Sequence, residues 1–202
     1  MLKIYHATRT RGTRPIWLCE ELGLDYEVIA VNFSAEYRAT PEWRALNPTG
    51  KVPVMQDGDM TMYESGAMVE YILARYSQGQ LQPAVSDPDY PLYLQWMWFA
   101  EATLSRPLGE IVNHGREFPG DKRLNNVVNE MENRAELSLI AVADSIGSNT
   151  YLLGDTFTAA DIMMGYSIML GDMLIPTRMP SHLLPYWHRL QERPAFQAAT
   201  AY

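Results

Sequence analysis

Leu2 to His6 alternates apolar and polar positions with β-favouring types, the period of a short strand with one buried face. A loop over Ala7 to Thr13 follows. Pro15 then sits where a first helical turn tolerates a missing N–H, Ile16, Cys19 and Leu22 recur at helical spacing, and Gly23 is placed to end the helix. Tyr26 to Val31 reads as a second strand, and a strand-helix-strand unit this short requires parallel pairing with a right-handed crossover. Phe33 to Leu46 is polar, carries Pro41, and predicts an irregular or short-helix connection into the turn cluster Asn47-Pro48-Thr49-Gly50. Two β runs, Val52 to Gln56 and Met60 to Tyr63, flank the hairpin-turn residues Asp57-Gly58-Asp59. Ser65 to Tyr76 predicts a helix with Met68, Ile72 and Leu73 on one stripe, so the order is βαβ, a loop, then ββα over residues 1–78.

Gly79, Pro83 and Pro88 punctuate a stretch with little apolar periodicity, the composition of a linker over residues 79–90. Every strong signal in residues 91–202 is helical, which predicts an all-α helical bundle. Tyr93 to about His114 is one amphipathic pattern with a kink expected at Pro107, and Asp121 to Ile146 is a second. Thr158 to Asp161 has the form of a capping box ahead of the apolar run from Ile162 to Met169. Shorter helices near residues 181–192 and 194–201 close the chain.

Composition narrows the function class. The chain has 202 residues, 47% apolar and 20% charged, enough for a sizeable core in one domain or two small ones. It holds no run of about 18 apolar residues, so no membrane span is expected. A net charge of −8 argues against nucleic acid or an anionic membrane surface as partner, because counterion release needs a basic face. The single cysteine, Cys19, has no internal disulfide partner, and the N-terminus lacks the apolar run of a signal peptide. Both features lead us to expect a reducing, cytoplasmic setting. Cys19 itself lies on the apolar stripe of the first helix, the place of an inert core thiol. Charge is uneven along the chain: residues 1–80 carry 8 Lys/Arg against 10 Asp/Glu, and three arginines, Arg9, Arg11 and Arg14, crowd the first loop.

Three places allow chemistry. Pro53 opens a β run without an N–H to give the ladder, so it lies at an edge, at a bulge, or on a cis bond that leaves the Val52 backbone groups open to another extended peptide. Glu64-Ser65 begins a helix, where unpaired amides and the dipole favour a carboxylate on Ser65, with Glu64 set for an ammonium; alternatively, Ser65 caps its own helix. The first loop also runs from a strand end into a helix N-terminus and offers Thr8, Thr10 and Thr13 as hydroxyl donors among its arginines. Such a place favours an anion, a thiolate included; the alternative is a capped helix with solvated arginines. Lowering a thiol pKa by two units takes about 2.7 kcal/mol. One hydrogen bond to a charged group supplies about 1.5–3 kcal/mol and a helix end about 0.3–1 kcal/mol, so no metal or general base is needed. His114 has no metal-ligand partner at useful spacing, and no metal site is expected.

Taken together, these residues resemble the cytosolic glutathione transferase family. The resemblance rests on Leu2-Lys3-Ile4-Tyr5-His6-Ala7, Arg14-Pro15-Ile16-Trp17-Leu18-Cys19-Glu20-Glu21-Leu22-Gly23, Asn47-Pro48-Thr49-Gly50-Lys51-Val52-Pro53-Val54, Glu64-Ser65 and Phe157-Thr158-Ala159-Ala160-Asp161, in that order over nearly the full length. It implies a thioredoxin-like N-terminal domain, an all-helical C-terminal domain and a homodimer in which the Ser65–Tyr76 helix meets the partner's Tyr93–His114 helix. It further implies a cis Val52–Pro53 bond, with the Val52 backbone pairing the cysteinyl unit of glutathione, Glu64 and Ser65 at the γ-glutamyl end, and Lys51 near the glycyl end. Thr158 and Asp161 fall on the family's N-capping box, a folding element.

The family places Ser, Cys or Tyr near the end of the first strand to hydrogen-bond the thiolate; the matching position here is Thr10, four residues before Arg14. Threonine donates the same bond, although its methyl restricts χ1 and crowds the sulfur. Thr8 and Thr13 compete for the role, and Arg11 assists electrostatically. The departure favours glutathione binding over robust turnover. Trp96, Phe99, Thr103 and Arg106 recur at spacings of three and four on the first long helix, either as the wall for a small apolar electrophile or as core. The expected activity is addition of the glutathione thiolate to that electrophile. Isomerisation, dehalogenation or peroxide reduction would use the same thiolate, and a non-catalytic interaction module on this fold would have no use for a complete tripeptide site.

Overall fold

Leu2–His6 forms β1 as its alternation predicts, with Leu2, Ile4 and His6 buried on one face and Lys3 exposed on the other. The helix that follows, α1 (Thr13–Leu22), ends at Gly23, whose φ of 61° gives the left-handed turn that favours glycine. The Gly23 N–H bonds to Glu20 O and the Leu24 N–H to Cys19 O at 3.0 Å, a Schellman closure that satisfies two of the last carbonyls. β2 (Tyr26–Ala30) stops one residue before the expected Val31, whose N–H instead bonds to His6 O at 2.8 Å. The computed structural model describes residues 1–202, which divide into two units: residues 1–81 with 191–202, and residues 82–190.

In the first unit the sheet order is β2-β1-β3-β4, with β1 and β2 parallel and β3 (Val54–Asp57) antiparallel to both β1 and β4 (Met60–Tyr63). The hairpin therefore begins at Val54, two residues later than the alternation suggests, because the segment ahead of it is bent away by Pro53. Two short helices fill the connection from β2: α2 (Ala35–Arg38), capped by Ser34, and α3 (Pro41–Leu46), capped by Thr40. α3 presents Trp43 to Val52 and Val54, with Tyr5, Ala7, Val31 and Leu46 packed around them. Full burial of a side chain of this size contributes about 1.5–3 kcal/mol, so this cluster is what fixes the segment before β3. α4 (Ser65–Tyr76) has the expected bounds and buries Met68, Val69, Ile72 and Leu73.

The second unit is helical, with α5 (Tyr90–Trp98), α6 (Ser105–Glu117), α7 (Asn125–Ile146) and α8 (Ala159–Leu174), and α9 (Leu184–Gln191) closing it. A kink at Pro107 is the sequence expectation; the structure instead carries a π-helical segment, Phe99–Leu104, just ahead of it. Pro107 cannot donate to Thr103, and its ring would collide with that carbonyl, so the wider turn absorbs the misfit before the proline is reached. Ser167 of α8 stabilises the segment by donating to Ala100 O at 2.9 Å. α7 starts at Asn125, not Asp121, because Gly120–Lys122 forms a 3₁₀ turn and the Leu124 N–H bonds to His114 Nε2 at 2.9 Å.

The capping box forms as its sequence predicts: Asp161 accepts from the Thr158 N–H at 2.9 Å. No helix is long and apolar enough to cross a membrane. The last helix, α10 (Pro194–Thr200), belongs to the first unit and lies on α1, with Phe196 edge-on to Trp17 at 4.8 Å and Arg193 clamped bidentately on Glu21 at 2.6 and 2.7 Å.

Candidate functional site

Strand register brings three segments to one end of the sheet in the first unit. Tyr5 lies opposite Val54 and Val54 opposite Tyr63, so counting on by two sets Ala7, Val52 and Ser65 level with one another. The first loop, the segment 51–53 and the start of α4 therefore leave the sheet together, with the N-termini of α1 and α4 at the same end.

The middle segment is fixed by the turn that precedes it. Asn47, 2% exposed, donates from Nδ2 to Lys51 O at 2.9 Å, and its Oδ1 accepts from the Thr49 N–H at 3.0 Å and hydroxyl at 2.8 Å. Gly50 has φ +65°, and a Cβ there would stand 2.7 Å from Arg38 O, so glycine is required on both counts. The Val52–Pro53 bond is cis, which settles the alternative left open by the sequence. Val52 precedes the first residue of the β3 ladder, and the Lys51 side chain is exposed.

Glu64 sits at the N-cap of α4 with φ 78° and ψ 106°, a backbone conformation that costs a non-glycine residue about 1–3 kcal/mol and is characteristic of functional positions. Glu64 is exposed. The next residue, Ser65, is 3% exposed, and its Oγ accepts from Arg14 Nη1 at 3.1 Å, which leaves the serine its own proton to donate. No side chain caps α4, so Ser65 is not spent on its own helix and the dipole end stays open. Arg14, one of the three loop arginines, is fully buried beneath Ser65 and is not a surface cation, whereas Arg9 is exposed and Arg11 half-buried.

In the first loop Thr10 is half-buried, and its hydroxyl donates to Ala7 O at 2.6 Å while its N–H bonds the same oxygen at 3.2 Å. Thr8 is exposed, and Thr13 is buried as the first residue of α1. Behind Thr10 stands His6, 2% exposed, with Nδ1 3.4 Å from Thr10 Oγ1 and the ring seated where a Cβ on Gly12 would lie 2.3 Å from Nδ1. Burial lowers its pKa to about 4, so the imidazole is neutral. Sequence reasoning passed over His6 and the Arg14–Ser65 pair. The signal for His6 was present, since the alternation of β1 puts it on the face of Leu2 and Ile4; Arg14 pairs with a residue 51 positions away, which no local pattern encodes.

Cys19 is fully buried, its thiol pushed up to about 12 by burial first and by Glu20 second. That is the inert thiol expected from its place on the stripe. In the second unit, Trp96 is buried and meets the half-buried Phe99 ring at 5.2 Å, while Thr103 and Arg106 are exposed. The π segment accounts for that separation: its wider turn moves the core-facing position from Thr103 to Leu104.

The arrangement at the end of the sheet suits a small extended ligand with an anion at each of two helix N-termini and an ammonium beside Glu64. Comparison with known proteins gives this geometry a context. The family described as glutathione S-transferase, N-terminal domain, matches residues 1–74. Glutathione S-transferase 3 of Schizosaccharomyces pombe is 30% identical over 216 residues, covering 98% of this chain and 86% of that protein. Glutathione S-transferase 4 of Zea mays is 29% identical, covering 91% of this chain and 84% of its own. A theta class glutathione S-transferase from Xanthomonas axonopodis pv. citri, solved with glutathione bound, is 27% identical and superposes with a TM-score of 0.83 over 100% of this chain and 97% of that one.

Proposed function

Because this chain belongs to the glutathione S-transferase family, we propose that it binds glutathione at the end of the β2-β1-β3-β4 sheet, stabilises its thiolate and adds that thiolate to a small apolar electrophile. The observation that carries the reading is the convergence of the first loop, Val52–Pro53 and Glu64–Ser65 at one end of the sheet, each presenting a different kind of binding group. In this reading residues 1–78 are the glutathione-binding domain and residues 91–202 supply the electrophile side, with residues 79–90 between them.

The γ-glutamyl carboxylate takes the Ser65 hydroxyl and the N-terminal amides of α4, and the γ-glutamyl ammonium takes Glu64. The cysteinyl backbone pairs with Val52 beside Pro53, and Lys51 neutralises the glycyl carboxylate. This pose points the sulfur at Thr10, where the hydroxyl, the dipole of α1 and Arg11 favour the charged form. Proton loss from the thiol to solvent leaves the nucleophile. The sulfur lone pair then forms the new S–C bond; a haloaromatic loses its halide with the C–X electron pair, whereas an enone shifts its C=C π pair onto the carbonyl and the resulting enolate takes a proton from solvent. On the electrophile side we propose Phe99, Thr103 and Arg106, with Trp96 packed in the core beside Phe99. A homodimer placing α4 against the partner's α5–α6 stretch completes the reading, and the exposed Leu92 and Trp98 on α5 support it. The unpaired Cys19 supports a cytoplasmic setting.

Steady-state conjugation with a panel of small haloaromatic and enone electrophiles tests the reaction class. Turnover that saturates in glutathione and falls on Thr10→Ala is expected. A protein that binds glutathione yet conjugates none of the panel contradicts the transferase assignment and leaves only the binding.

A further inference from the structure

We propose that the buried imidazole of His6 is a positioning residue for the thiolate site: its Nδ1–H donates to Thr10 Oγ1 and directs the single hydroxyl proton of Thr10 toward the bound sulfur. The inference rests on the functional reading above for the identity of the sulfur. Its geometric basis is independent of that reading.

Two observations assign the proton on the ring. Nε2 of His6 is buried with no hydrogen-bond partner, whereas Nδ1 faces Thr10 Oγ1 at 3.4 Å. An orphaned buried N–H is rarer than an under-satisfied acceptor, so the tautomer that leaves Nε2 bare and puts the hydrogen on Nδ1 is the favoured one. The ring is also held in place. Gly12 gives it room that an alanine would remove, with a Cβ 2.3 Å from Nδ1, although the φ of −63° at Gly12 does not itself call for glycine. The neutral state of the ring, set by its burial, makes it a constant donor across the pH range in which a thiol titrates.

A hydroxyl has one proton and two lone pairs. In the structure the Thr10 proton goes to Ala7 O at 2.6 Å. An anionic sulfur is a stronger acceptor than a carbonyl and takes that proton over. A donor at His6 then fills a lone pair of Oγ1 and polarises the O–H bond, forming the chain His6 N–H, Thr10 O–H, sulfur. Such chains strengthen the next bond by about 10–30%, which on a charged hydrogen bond of about 1.5–3 kcal/mol corresponds to about a 1.3- to 4.5-fold gain in bound thiolate. Arg9 and Arg11 act on the sulfur through space, Arg14 lies buried beneath Ser65, and all three are left unchanged in every variant.

The test combines a tautomer measurement with a pKa measurement. Imidazole nitrogen chemical shifts of the ligand-free wild type are expected to show the Nδ1–H form; the Nε2–H form overturns the proposal, without any variant having to fold. With glutathione saturating, His6→Phe is expected to lower the thiolate fraction at neutral pH by about 1.3- to 4.5-fold, seen as an upward shift of the pH profile of thiolate absorbance, with little change in glutathione affinity. His6→Asn, which keeps an N–H near the Nδ1 position, is expected to restore the profile. In a Thr10→Ala background His6→Phe is expected to add nothing. An unshifted profile in His6→Phe, or an equal shift with Thr10 absent, overturns the role of His6 alone. A wild type that binds no glutathione overturns the functional reading instead, and the tautomer result still judges the His6–Thr10 contact.

Discussion

Thr10→Ala removes the one side chain that the account has hydrogen-bond the sulfur, and the structure sets the size of the effect. The Thr10 hydroxyl donates to Ala7 O at 2.6 Å. Turning it to a thiolate therefore exchanges a neutral hydrogen bond of about 0.5–1.5 kcal/mol for a charged one of about 1.5–3 kcal/mol. The difference, about 1–1.5 kcal/mol, is roughly one pKa unit. Thr10→Ala is expected to raise the pKa of bound glutathione by about one unit and to cut kcat/KM near neutral pH by up to about tenfold. Thr10→Ser, which keeps the hydroxyl, is expected to leave both near wild type. The assay is a pH titration of thiolate absorbance at saturating glutathione, with kcat/KM followed over the same range. An unshifted titration in a Thr10→Ala protein that still binds glutathione refutes the reasoning and moves the donor to Thr8, Thr13 or a backbone amide.

Three other outcomes follow from groups already described. Asp161 is fully buried and accepts from the Leu152 N–H at 3.0 Å, the Thr158 N–H at 2.9 Å and the Tyr186 hydroxyl at 2.8 Å. Asp161→Ala leaves these donors stranded and is expected to cost about 3–5 kcal/mol, read as a lower urea midpoint; a loss under about 1 kcal/mol contradicts the hub role. His6 has a folded pKa lowered to about 4, so between pH 6.5 and 4 only the unfolded chain takes up its proton and stability falls as the solution is acidified. That loss is on the order of 3 kcal/mol at most, and His6→Asn is expected to remove it from the pH dependence of denaturant unfolding. The Cys19 thiol, pushed up to about 12, is expected to react with a thiol reagent only in denaturant; rapid native labelling at neutral pH contradicts its burial.

The first unit was largely legible because its elements are short and strongly punctuated. Gly23 ends α1, Gly50 takes the one conformation the turn needs, and Ser65–Tyr76 carries its stripe within one helix. The binding segments around Val52 and Glu64 were legible for the same reason, since their chemistry sits in contiguous motifs. What escaped was set by tertiary context. Pro107 announced a disturbance, but whether a kink or a π turn absorbs it depends on Ser167, 67 residues from Ala100. Arg14 reads as one of three loop arginines until its pairing with Ser65, 51 positions away, takes it into the interior. The return of α10 to α1 depends on Phe196 and Arg193 finding Trp17 and Glu21 across the length of the chain.

The central claim is that the end of this sheet is a glutathione site, and a calorimetric titration of the wild-type protein with glutathione tests it most directly. Saturable heat with one site per chain, weakened when Ser65→Ala removes the hydroxyl that Arg14 now holds in place, is the result the account predicts. No binding at millimolar glutathione contradicts it.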